Sequence, residues 1–289
     1  MLLGVVSAHA QIVSLSGTTS QYTGSNSFKF QGDGTIVAIG TYSGATATFS
    51  DTTDNGTAVK MVWYPEKASF RAGKIDTATN APTAVPPLPI FTGVEWDDVN
   101  TGVASVAFGD DTVASGNYST ATGYLSVANG SYSVAMGNTS LATGSSAIAA
   151  GSSTVAGGTS STAFGSGSSA IGSYSVALGL SNTANGYASA ALGRNSTTSG
   201  TCGIALGYFS TAPAYDVVLG KYNLALNADG MTAASLTSWA STDPAFEIGN
   251  GTSSTQTSDA LVVYKNGNAA FQGTVSIAPG GDIPMYSGQ

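Results

Sequence analysis

Histidine and cysteine are all but absent from this 289-residue chain, which has one of each, His9 and Cys202. Ser-His-Asp and Cys-His nucleophile systems need an imidazole, and so does imidazole metal ligation, yet His9 lies in a segment that reads as removable. Cys202 has no partner for an intrachain disulfide. Charge is scarce too: Asp, Glu, Lys and Arg make up 8% of the residues, against about 25% in an ordinary soluble protein. Eight Lys and Arg against 16 Asp and Glu leave a formal charge of −8, so there is no counterion-release drive toward a phosphate backbone and nucleic acid is not an expected partner. With 9 Pro against 38 Gly, the chain is neither collagen-like nor a proline-rich disordered segment. No apolar run reaches the roughly 18 residues of a membrane-spanning helix, so no direct membrane insertion is expected.

Glycine is in excess, and it recurs with a period. A 14-residue unit starts at Ser105, Ser119, Ser133, Ala147, Ser161, Ser175, Ser189 and Gly203, eight copies without an insertion. Position 5 is always glycine (Gly109, Gly123, Gly137, Gly151, Gly165, Gly179, Gly193, Gly207), position 3 always alanine, and position 12 glycine in seven copies, with Ala214 in the eighth. Each unit holds two stretches with period-two alternation, such as Ser175-Val-Ala-Leu-Gly179 and Asn182-Thr-Ala-Asn-Gly186, which read as short strands with glycine corners. One face carries Ser, Ala and Gly, residues that let opposing backbones approach closely. The predicted fold is all-β: a parallel β-solenoid of 14-residue coils, stacked about 4.8 Å apart and flanked by small β-rich regions.

The outward face of the first strand is apolar. It presents Val106, Phe108, Val134, Met136, Ile148, Phe164, Val176, Leu178, Leu192, Ile204 and Leu206, and a monomer seldom leaves so large a continuous stripe in water. These eleven are the expected interface of an oligomer. The outward face of the second strand has few aliphatics and is expected to stay solvated; its threonines form no regular ladder, which counts against ice binding.

The unit Ser-Val-Ala-Leu-Gly-x-x-[Ser/Asn]-x-Ala-x-Gly, repeated over about 105–220, resembles the head of trimeric autotransporter adhesins, the YadA-type left-handed parallel β-roll. The resemblance implies the handedness, a homotrimer with its stripes turned inward, a place at the distal end of a surface fibre, and an unidentified extracellular ligand, a matrix protein or a glycan. No heptad stalk, membrane-barrel pattern or chaperone domain follows before Gln289, which implies a truncated gene product or another means of attachment.

Residues 1–10 join a short apolar run to Ala8-His9-Ala10, a small-x-small pattern that reads as a signal-peptidase site. Residues 11–93 read as an N-terminal β-rich domain ending in a Pro-rich connector, 94–220 as the head repeats, and 221–289 as a C-terminal hairpin neck or cap that resembles tail-fibre necks. Trp96 is expected to cap the open end of the roll. Lys265-Asn-Gly-Asn268 predicts a hairpin turn. The acidic pairs Asp97-Asp98 and Asp110-Asp111 are weak candidates for a calcium site, which needs six or more oxygens; an Asp pair beside a turn is more often a solvated loop feature. The glycine-rich stretch 165–172 has no lysine and no following helix pattern to cradle phosphate. No metal, cofactor or enzymatic activity is expected. The predicted function is that of an exported, secreted or surface-borne adhesive fibre head, with a phage-like tail-fibre segment as the alternative and an ice- or glycan-binding solenoid as the lesser one.

Overall fold

The computed structural model of the protein describes residues 27–30, 36–40, 58–64, 67–75, 96, 100–224 and 240–273. Among these, regular structure is nearly all strand. Each 14-residue unit closes one coil of a parallel β-solenoid, and successive coils pair in register, Ala107 with Ala121, Ala121 with Ala135 and onward to Ala205. A second, narrower ladder of two-residue strands runs along the opposite side, from Val127–Ala128 to Thr211–Ala212.

The sequence dictates this coil at every position. The alanines at positions 3 and 10 meet in one buried file down the lumen, and the side chains at positions 1 and 8 are buried beside them. Buried hydroxyls need partners, and most at position 8 find them one coil on. Ser126 Oγ–H donates to Gly137 O at 2.9 Å, Ser168 to Gly179 O at 3.0 Å and Ser196 to Gly207 O at 3.1 Å. Asn182 takes the same role with its amide, donating to Leu178 O at 2.6 Å and Gly193 O at 2.8 Å.

Position 5 is glycine for two reasons at once. Its φ lies between 109° and 145° in the eight repeats, and an added Cβ would stand 1.8–2.1 Å from the carbonyl oxygen of the next coil. Positions 7 and 14 form the other corners, left-handed without glycine in almost every coil, as at Leu125, Thr139, Tyr118 and Tyr132 with φ of 51–61°. Such residues carry about 1–2 kcal/mol of backbone strain. Stacking holds them in place: Leu125 N–H donates to Asp110 O at 2.9 Å and Tyr132 N–H to Asn117 O at 2.8 Å, each on the preceding coil. The unit is thus two seven-residue halves of the form Ser-x-Ala-x-Gly-x-corner.

The first-strand sheet continues past the repeats on both sides. Ser69–Ile75 runs parallel to Val106–Asp110 with Gly73 opposite Gly109, then pairs antiparallel with Ala58–Tyr64. Pro244–Asn250 runs parallel to Val217–Lys221 with Gly249 opposite Gly220, then pairs antiparallel with Asp259–Tyr264, which pairs with Ala269–Phe271. The turn expected at Lys265–Asn268 closes this last hairpin, with Tyr264 N–H donating to Asn268 O at 2.8 Å and Gly267 left-handed at φ 88°. One outer surface departs from expectation. Val113, Val127 and Leu141, on the second-strand face predicted to stay solvated, are buried with Leu125 in a cluster against which Val155 packs. Four successive aliphatics, Val113, Val127, Leu141 and Val155, pack on one another in one file, whereas the later coils carry Ser or Thr there.

Candidate functional site

The two features that could act outside the fold are the outer face of the first-strand sheet and the plugged ends of the lumen. In-register stacking turns positions 2 and 4 of each unit into two columns. Val106, Val134, Ile148 and Val176 stand in one with Ile204, and Phe108, Met136, Phe164, Leu178, Leu192 and Leu206 in the other. The single chain leaves them unburied: Phe108, Met136, Phe164, Ile204 and Leu206 are 38–45% exposed, and the rest are half-buried. The face is uncharged and chemically unreactive; what it can do is bury itself against another surface.

The lumen ends in a base on one side and an acid on the other. Arg71 pairs in register with Ala107, so it occupies a position-3 alanine site and turns inward. It is fully buried. Its guanidinium donates from Nη1 to Ser105 O and Phe70 O, both at 2.9 Å, and from Nη2 to Ser105 Oγ at 2.7 Å and Ala114 O at 2.9 Å. Burial lowers its pKa to about 10, opposed by the nearby Tyr64, so it stays charged at neutral pH. Trp96 lies beside this plug, packed with Val62, Ile75 and Tyr64. Its indole N–H donates to Thr112 O at 2.7 Å, and Tyr64 Oη–H donates to its carbonyl.

At the far end Glu247 pairs with Val218 and fills the equivalent alanine site, 1% exposed. Its Oε2 accepts a hydrogen bond from Asn223 Nδ2 at 2.6 Å. Burial first, and the neighbouring Asp216 second, push its carboxyl up to about 9, so it holds its proton at neutral pH. Asp216, in the place of a position-1 serine, is pushed up to about 7, again chiefly by burial. Lys265 closes the end, donating to Ala214 O at 2.8 Å and lying 3.6 Å from Asp243.

Of the four candidate acids, Asp97 and Asp98 lie outside the described residues. Asp110 forms an ion pair with Lys74 at 3.5 Å. Asp111 is not the solvated loop residue expected: it is 2% exposed at a left-handed corner. Among the described residues no group of three His, Cys, Asp or Glu is placed to hold a metal ion. Sequence reasoning also passed over exposed tyrosines along one corner, where Tyr118 stacks on Tyr132 at 4.9 Å and Tyr174 meets Tyr187 edge-on at 5.5 Å.

A family model described as the YadA head domain repeat (2 copies) matches residues 101–126, 128–154, 156–182 and 184–210. Residues 101–210 form a YadA-type head. No curated protein matches the chain. The YadA-type head is an adhesin-like structural element, and its matched span ends short of both plugs. Arg71 and Glu247 were legible only as partial echoes of the repeat, in Ser69-Phe-Arg-Ala-Gly73 and Ala245-Phe-Glu-Ile-Gly249, each with a long side chain in the alanine place.

Proposed function

We propose that the protein is the adhesive head of an exported homotrimeric fibre carried at the cell surface, non-enzymatic, with residues 1–10 as its signal peptide. The observation that carries this reading is the in-register apolar file of the head, in which the single chain leaves Phe108, Met136, Phe164, Ile204 and Leu206 38–45% exposed, on a repeat matched by the YadA head family, resemblance to which implies a trimer. Three copies turning this face toward a common axis remove it from water. Light scattering coupled to size exclusion tests it: the expected solution mass is three chains, and a monomer overturns the reading.

Adhesion is the role left to the outward surface. Residues 105–215 contain only Asp110, Asp111 and Arg194 as charges, so attachment to a matrix protein or glycan is polyvalent and shape-based rather than steered by charge. Binding to immobilised matrix or glycan is expected to hold between low salt and about 0.5 M, where charge steering is screened. A steep loss over that range would count against it.

A further inference from the structure

The apolar columns do not stop where the repeats stop. Across the first hairpin, Phe108 lies in register with Ala72 and Ala72 with Met61, while Val106 lies in register with Phe70 and Phe70 with Trp63. Beyond the last repeat, Leu206, Leu219, Ile248, Leu261 and Phe271 continue one column, and Ile204, Val217, Phe246, Val263 and Ala269 the other. Residues in register share a face of the sheet. All of these therefore stand on the side of the head's stripe, opposite Val62, Arg71, Val218 and Glu247. The Phe70 and Phe108 rings meet at 5.5 Å across the junction. Met61, Trp63 and Ile248 are about as exposed as the stripe's exposed residues, at 36–40%, and Phe271 reaches 58%. No charged residue enters either column between Met61 and Phe271.

We infer that both flanking hairpins belong to the same chain–chain interface, so that three copies associate along one unbroken face from Met61 and Trp63 to Phe271. This rests on the trimer reading and extends it to residues outside the head match. Size supports it. The eight repeat strands, each adding about 4.8 Å to a two-column face roughly 12 Å wide, make roughly 450 Å², whereas a standard stable interface buries about 800 Å² per partner. The 14 strands from Ala58–Tyr64 to Ala269–Phe271 bring the face to roughly 800 Å² on the same spacing. Further copies of this chain are the occupants that fit. A rotation axis along the columns sets each level against its own equivalent, and a face that is uncharged at every level, and apolar except at Thr120, Thr122 and Thr162, complements itself.

Cysteine cross-linking of the full chain in a Cys202→Ser background tests this with a short bifunctional maleimide. Single cysteines replace Leu206 in the head, Met61 and Phe271 in the two hairpins, and Ile171 on the opposite side of the roll as a control. The expected result is covalent dimers from Leu206→Cys, Met61→Cys and Phe271→Cys, at least fivefold above Ile171→Cys. Linkage at Leu206→Cys without linkage at Met61→Cys and Phe271→Cys, with the mass still that of three chains, overturns the extended face and leaves the trimer standing. No linkage anywhere and a monomer mass overturn the trimer reading itself. Equal linkage at Ile171→Cys marks the products as random collision and counts against the inference.

Discussion

Arg71 and Glu247 do at the ends of the roll what alanine does within it, and each replaces a methyl group with a polar plug hydrogen-bonded to its neighbours. Arg71 donates four hydrogen bonds in a site with no exposure. Arg71→Met keeps the stem but leaves Ser105 O and Ala114 O without these donors; it should cost about 2–4 kcal/mol, read as a lower denaturant midpoint. Glu247 behaves in the opposite electrostatic sense. Its folded pKa of about 9 stands above an ordinary value of 4.5, so the folded state binds more protons between those values. Its contribution is complete below the ordinary value and is lost as pH rises through about 9. Thermal melts should show stability falling as pH climbs over this interval. Glu247→Gln should flatten that dependence and raise stability at pH 8 by roughly 1–3 kcal/mol, the cost of keeping this carboxyl protonated in a dry site above its ordinary pKa. An unchanged pH profile in Glu247→Gln would assign the dependence elsewhere.

At the scale of the coil, backbone spacing decides what is tolerated. Adjacent glycines give a direct comparison. An added Cβ at Gly158, position 12, would lie 2.1 Å from Gly172 O, whereas at Gly157 the nearest atom is Thr143 Oγ1 at 3.8 Å. Gly158→Ala should therefore destabilise by more than about 3 kcal/mol, because neighbouring coils cannot separate without breaking their ladder. Gly157→Ala should be neutral or stabilising by up to about 1 kcal/mol, through the unfolded chain. Equal melting temperatures for the two variants would show that coil spacing is softer than the geometry requires. The hairpins obey the same rule as the coils: Gly73 and Gly249 keep the position-5 register, with Gly73 Cβ space blocked by Gly109 O at 1.9 Å. They are terminal coils of the roll that leave it by turning antiparallel.

For the whole molecule the unsolved problem of the single chain is its outer apolar face. On the proposed trimer reading, Leu178→Asp or Leu206→Asp should dissociate the oligomer, since each would place like charges in a dry interface at one level of the axis. Light scattering should fall from three chain masses toward one while the β-sheet circular dichroism is kept, because these side chains point away from the lumen that holds the coil together. A variant that remains at three chain masses would show that the interface lies on another face. The polar, nearly uncharged remainder of the head is what the proposed assembly would offer to a ligand.

The sequence by itself determined the period, the alanine and serine lumen, the glycine corners and the apolar stripe. It could do so because a solenoid coil touches only the coils above and below, so one set of local contacts is written again every 14 residues. The ends lack that redundancy. Ser69 precedes Ser105 by 36 residues rather than one period, and a single copy with arginine in the alanine place carries no periodic signal. Only the tertiary structure decided that Arg71 and Glu247 face inward, that Val113, Val127 and Leu141 are buried, and that the stripe runs on through both hairpins. Each of these depends on which segment pairs with the terminal coil, and that pairing is a long-range contact that local pattern does not encode.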